Sequence, residues 1–152
     1  MFLRTNDRVV NLQNVSNINI IQDEKRIAFN MNYYIEIKSK GRIIKISDYA
    51  YWDAVSDTNF EENIRIVNDN TFLQENFIKY FDRTGLININ EISSVKFSEK
   101  KNRVIFNLSH PVTFTDFHGQ DKITSEFVFI DCNSIDEFKE YSAYVSDILF
   151  RR

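Results

Sequence analysis

The chain nearly writes itself twice. Val10-Asn11-Leu12 falls on Ile87-Asn88-Ile89, and the same offset carries Val15, Ile18 and Ile20 onto Ile92, Val95 and Phe97. It also lays Arg26-Ile27-Ala28-Phe29-Asn30-Met31 over Arg103-Val104-Ile105-Phe106-Asn107-Leu108. One residue is then gained near His118 and Gly119. The match resumes with Ser47, Asp53, Ser56, Phe60, Glu62, Val67 and Phe72 against Ser125, Asp131, Ser134, Phe138, Glu140, Val145 and Phe150. Self-similarity at a fixed period constrains a fold more than any single motif, because each copy must be read as the same supersecondary unit.

Each copy predicts four strands and a helix. Residues 9–13 and 86–90 read as short first strands. Residues 15–21 and 92–98 alternate polar and apolar. Residues 26–38 alternate most cleanly, with Ile27, Phe29, Met31, Tyr33, Ile35 and Ile37 on one face. Val104, Phe106, Leu108, His110, Val112 and Phe114 repeat that face over 103–115. Such alternation marks a sheet with one covered and one wet face. The fourth strands, 42–53 and 122–132, are apolar at both parities (Tyr49-Ala50-Tyr51-Trp52 and Phe127-Val128-Phe129-Ile130), which predicts cover on both sides. Ser134 with Glu137 reads as a capping box, as does Thr58 with Glu61 unless Ser56 caps alone. Phe60, Ile64 and Val67, and Phe138, Tyr141, Val145 and Ile148, form helical stripes. Leu73, Phe77, Tyr80 and Phe81 predict a further helix over 71–84, or an extension of the preceding one kinked at Asn68-Asp69-Asn70, ended at Gly85.

The expected architecture is therefore α+β: a tandem duplication of an antiparallel four-stranded meander followed by a helix, packed as a pseudo-twofold pseudo-dimer. Residues 1–70 form the first repeat, 71–85 a helical connector and 86–152 the second repeat, all within one globule. A fourth strand covered by its own helix and by the sister copy would account for the second apolar parity.

Chemistry is harder to find. The three glycines are isolated, so no phosphate loop exists. His110 and His118 lack ligand spacing, and each reads as a satisfied edge or turn residue. Cys132, the one cysteine, stands where the first copy has Ala54, a packing position. It permits neither a disulfide framework nor a cysteine-based zinc site. Asn11, Asn88, Asn30 and Asn107 recur between copies and read as turn or bulge residues. Nothing calls for a cofactor or metal, and the expectation is that the protein is not an enzyme.

Charge supplies the remaining signal. The net charge of −3 gives no basic footprint for nucleic acid. No apolar run approaches the ~20 residues of a membrane span. The first residues lack a signal-peptide stretch, so a cytoplasmic protein is expected. Abundant Ile, Asn, Phe, Lys and Tyr imply AT-rich coding, as in a low-GC bacterium, phage or mobile element. Residues 48–62 hold five acids and no base. Asp48, Tyr49, Tyr51, Trp52, Asp53, Asp57, Glu61 and Glu62 are thus the candidate partner-binding residues, an acidic-aromatic surface for a basic protein. The plainer reading is helix electrostatics, since carboxylates favour a first turn. The function expected is a non-catalytic protein-binding module of inhibitor, immunity or anti-defence type, acting as a pseudo-symmetric monomer or a homodimer. The alternative is single-stranded nucleic-acid binding on Tyr33, Tyr34 and Tyr49.

Overall fold

The computed structural model describes residues 1–39, 41–115 and 122–151. The loop with His118 and Gly119 lies outside them. The chain runs β1 (Phe2–Arg4), β2 (Val9–Asn11), β3 (Val15–Ile21), β4 (Arg26–Ser39), β5 (Arg42–Asp53), α1 (Asp57–Asp69) and α2 (Thr71–Asn76). It continues β6 (Phe77–Lys79), β7 (Gly85–Asn88), β8 (Ile92–Ser98), β9 (Arg103–Thr115), β10 (Lys122–Asp131) and α3 (Ile135–Phe150). This is an α+β fold whose strand pairs are antiparallel. Among the described residues no helix is long and apolar enough to cross a membrane.

The sheets are ordered β5-β4-β3-β7-β6, β10-β9-β8 and β1-β2. The central meanders have three strands, not four. Single 3-10 turns at Leu12–Asn14 and Ile89–Glu91 separate β2 from β3 and β7 from β8. Asn11 and Asn88 build these turns, each side chain accepting a backbone N–H two residues on, as the recurrence of asparagine predicts. The turns redirect the chain, so β2 pairs with β1, while β7 pairs with β6 and crosses to the edge of β3.

Matching positions have matching neighbours. Phe29 sits between Ile18 and Ala50, and Phe106 between Val95 and Val128; both phenylalanines are wholly buried. Lys25 and Asn102 both take the left-handed conformation in the hairpin turns. Ser56 and Ser134 cap α1 and α3. Glu137 reaches back to the Asn133 N–H, while in the first half Asn59, and not Glu61, makes the return bond to Val55.

Three expectations need correction. The helix foreseen over 71–84 stops at Asn76, and Phe77 to Lys79 extend as β6. Gly85 opens a strand instead of ending a helix. Second, β5 and β10 are not covered on both faces: Tyr49, Tyr51, Phe127 and Phe129 are exposed. The doubly covered element is the β6–β7 hairpin. Phe77 and Leu86 enter one core with Phe29, Trp52 and Phe60, while Ile78 and Ile87 enter the other with Phe106, Phe138 and Val145. Third, a two-fold relation would lay β2 along β8 as β7 lies along β3. Among the described residues β8 pairs with β9 alone.

The packing of α3 on β6 has a pH signature. The Tyr141 hydroxyl donates to the Lys79 carbonyl at 2.7 Å. Burial raises the Tyr141 and Tyr80 hydroxyls well above the usual tyrosine range. Unfolded tyrosines ionise near pH ~10 while these two keep their protons in the fold, so stability is full below that pH and falls as pH rises above it. Urea midpoints measured from about pH 9 to about pH 11 should decline, and Tyr80→Phe/Tyr141→Phe should flatten the decline.

Candidate interaction surface

The outward faces of the two meanders carry the same ladder. On the first, the rungs across β4 and β5 are Arg26 with Asp53, Ala28 with Tyr51, and Asn30 with Tyr49. On the second, across β9 and β10, they are Arg103 with Asp131, Ile105 with Phe129, and Asn107 with Phe127. Period-2 geometry forces the result: Ala50, Trp52 and Ile130 point to the cores, so their neighbours point out.

The rings make paired aromatic plates. Tyr49 and Tyr51 have centroids 4.7 Å apart, and Phe127 and Phe129 stack at 5.8 Å with planes 14° apart. Each plate is closed by a guanidinium. Arg26 lies 4.1 Å over the Tyr51 ring and Arg103 4.9 Å over Phe129. Asp53 and Asp131 hold these guanidiniums from the Nε side at 2.6 and 2.5 Å, and these bonds raise the arginine pKa values. The four rings are 41–52% exposed.

The acids foreseen as a free electrostatic surface are largely neutralised from within. Asp53 is held by Arg26, Asp57 meets Lys25 at 3.2 Å, and Glu62 is bound by Arg65, which also holds Asp69. Asp48 accepts the Tyr33 hydroxyl at 2.8 Å and the Tyr49 N–H. That first bond raises the Tyr33 pKa. Glu61 is exposed on α1 with no ion pair among the described residues. Trp52 does not belong to the surface at all; it is buried in the first core. The eight predicted residues therefore divide. Tyr49, Tyr51 and Asp53 share the outward face of β5, Asp48 lies on its other face beside Tyr33, Asp57, Glu61 and Glu62 lie on α1, and Trp52 faces inward.

Sequence reasoning missed a second polar cluster. Glu91 is buried, and its carboxylate accepts from Asn32 Nδ2 at 3.0 Å and meets His110 Nδ1 at 2.7 Å. His110 is thus satisfied at a strand edge, but by a carboxylate and not by an apolar face. The signal was present: positions 77 apart differ together, Asn14 to Glu91 and Tyr33 to His110. Asn32 and Glu91 tie the halves to one another. The Tyr34 hydroxyl adds a bond to the Pro111 carbonyl at 2.5 Å. Among the described residues no group of three or more His, Cys, Asp or Glu side chains is placed to hold a metal. Cys132 is buried, and burial pushes its thiol up, away from reactivity. Beside Tyr33 and Asp48 a cleft of about 210 Å³ runs along β2, lined by Arg8, Val9, Asn14 and Met31.

Comparisons with protein-family models, with curated proteins and with solved structures find no significant match for this chain.

Proposed function

We propose that this chain is a non-catalytic protein-binding module, a tandem duplicate whose two halves each present an aromatic plate, and that its partner docks on the plate of β5. One observation carries the reading. Tyr49 and Tyr51 stand exposed side by side, rigidly backed by a sheet and flanked by Arg26 and Asp53. Preorganised aromatics lose little conformational freedom on binding and dominate interface energetics. The equal offsets of Phe29 with Phe106 and Arg26 with Arg103 support the duplication. The internal ion pairs shift the balance of attraction from carboxylates to rings. A basic partner is accommodated by cation–π contact and by Glu61, with Asp53, Asp57 and Glu62 already engaged. An inhibitor or anti-defence role is the special case to which AT-rich coding points.

Single-stranded nucleic acid is less well served by the same face. Stacking platforms work together with free cations along the backbone, whereas Arg26 and Arg103 are committed to Asp53 and Asp131.

Affinity capture from the source organism should distinguish these routes. Tyr49→Ser/Tyr51→Ser is expected to lower recovery of the partner by tenfold or more, on the scale of an interface hot spot. Asp57→Lys/Glu61→Lys should change it by no more than about twofold, as rim charges do. Equal capture by the aromatic double variant, or a mobility shift of short single-stranded oligonucleotides that it abolishes, would overturn the reading.

A further inference from the structure

We infer that the free edge of β8 is an acceptor for an extended, acidic segment of a partner protein, which adds to its three-stranded sheet as a fourth strand, as β7 already does on β3. This surface lies at the opposite edge of its sheet from Phe127 and Phe129, and the inference stands apart from the aromatic plates.

The argument starts from two strands with one register. β3 pairs with β4 through Asn17–Asn30, Ile18–Phe29 and Ile20–Ile27; β8 pairs with β9 through Ser94–Asn107, Val95–Phe106 and Phe97–Val104. Each has a bulge at the same place, beside Ser16 and Ser93. Their burial differs sharply. Val15, Ile18 and Ile20 are 0%, 0% and 7% exposed, whereas Phe97 is 42% exposed and Ile92 and Val95 are only half-buried. The difference is β7. It lies along β3 with Leu86 opposite Ile18 and Gly85 opposite Asn19, and the Ile20 N–H donates to the Thr84 carbonyl at 2.8 Å. By the same register the Phe97 N–H points out of the β8 edge, and among the described residues no strand pairs there. An open edge over half-covered apolar side chains is a template for strand addition.

Charge selects the occupant. Lys96 stands where β3 has Asn19, and Lys100 and Lys101 follow in the next turn. All three are exposed, and none has an ion pair among the described residues. The chain's own counterpart strand is a poor fit. Arg8 of β2's leading turn occupies the position of Gly85 and would face Lys96. A Cβ at Gly85 would come within 2.5 Å of the Ile18 carbonyl oxygen, so this rung requires a residue without one. The favoured segment therefore runs antiparallel to β8, with glycine opposite Lys96, a large aliphatic residue opposite Val95, and acids preceding the glycine towards Lys100 and Lys101. Like charge and steric exclusion keep a second copy away.

A fluorescent peptide with two glutamates before Gly-Leu-Ile, titrated into the whole protein, tests this. Saturable binding is expected, with the Val95 and Phe97 amides slowed in hydrogen exchange. Phe97→Pro, which removes the outward donor at an edge where proline is tolerated, should abolish binding. Lys96→Glu/Lys100→Glu/Lys101→Glu should weaken it about tenfold at low salt and leave the thermal transition in place. Tyr49→Ser/Tyr51→Ser should bind the peptide normally, which separates this surface from the aromatic plate. Absence of saturable binding, or binding unchanged in both edge variants, would overturn the inference. So would a concentration-dependent dimer that Phe97→Pro dissolves.

Discussion

Phe106→Ala is expected to remove about 3–5 kcal/mol of unfolding free energy, and to remove it from both halves of the chain together. The first part follows from burial: the ring is wholly enclosed among Val104, Ile130, Phe138 and Val145, and truncation leaves a cavity that rigid neighbours only partly fill. The second follows from the β6–β7 hairpin. Its Ile78 and Ile87 belong to the core that Phe106 anchors, while its Phe77 and Leu86 complete the core around Trp52. Loosening one face of a two-residue-thick ribbon loosens the other. The protein has a single tryptophan, and Trp52 lies in the core that Phe106 does not touch. Urea unfolding followed by Trp52 fluorescence should therefore shift to lower midpoint in Phe106→Ala, in step with far-ultraviolet circular dichroism. A tryptophan transition that stays put while the dichroism splits in two would show independent halves.

Gly85→Ala is the second large effect. The added Cβ would strike the Tyr80 ring and the Ile18 carbonyl oxygen. The ring can turn, but the carbonyl belongs to the strand that β7 pairs with. Overpacking of this kind costs about 1–3 kcal/mol, and backbone involvement places this case at the upper end. β7 is expected to draw away from β3, so the Ile20 amide, bonded to the Thr84 carbonyl, should exchange faster relative to the Phe29 amide in the sheet interior. A variant as stable as the parent, with Ile20 equally protected, would show that the strands separate without loss.

Much of this was legible from residues alone. Alternation over 26–31 and 103–108 placed Phe29 and Phe106 inward, and Ser134 before an acidic first turn placed the cap of α3, while for α1 the sequence offered Thr58 with Glu61 beside Ser56, which makes the cap. Periodicity failed where burial has two sides. Phe77, Ile78, Tyr80, Leu86 and Ile87 are apolar at both parities because each face meets a different core. Over so short a run this cannot be told from a helical stripe. The reverse error fell on β5 and β10, where Tyr49, Tyr51, Phe127 and Phe129 imitate a doubly covered strand while facing outward. Of the candidate site, the aromatic pair was readable, but its neutralisation was not. Asp53 meets Arg26 across a strand pair and Asp57, in the first turn of α1, meets Lys25 of the β3–β4 turn, contacts fixed by tertiary placement and not by local sequence.

The shared hairpin also sets an order of assembly during synthesis. A nascent chain that has emerged only as far as Asn70 carries β3, β4, β5 and α1, yet lacks Phe77 and Leu86 to seal the edge of its own sheet. Domains commonly fold from the N-terminus as they emerge. Here the leading half must wait with an apolar margin open until residue 88 has left the ribosome, and the trailing half then inherits a strand already in place.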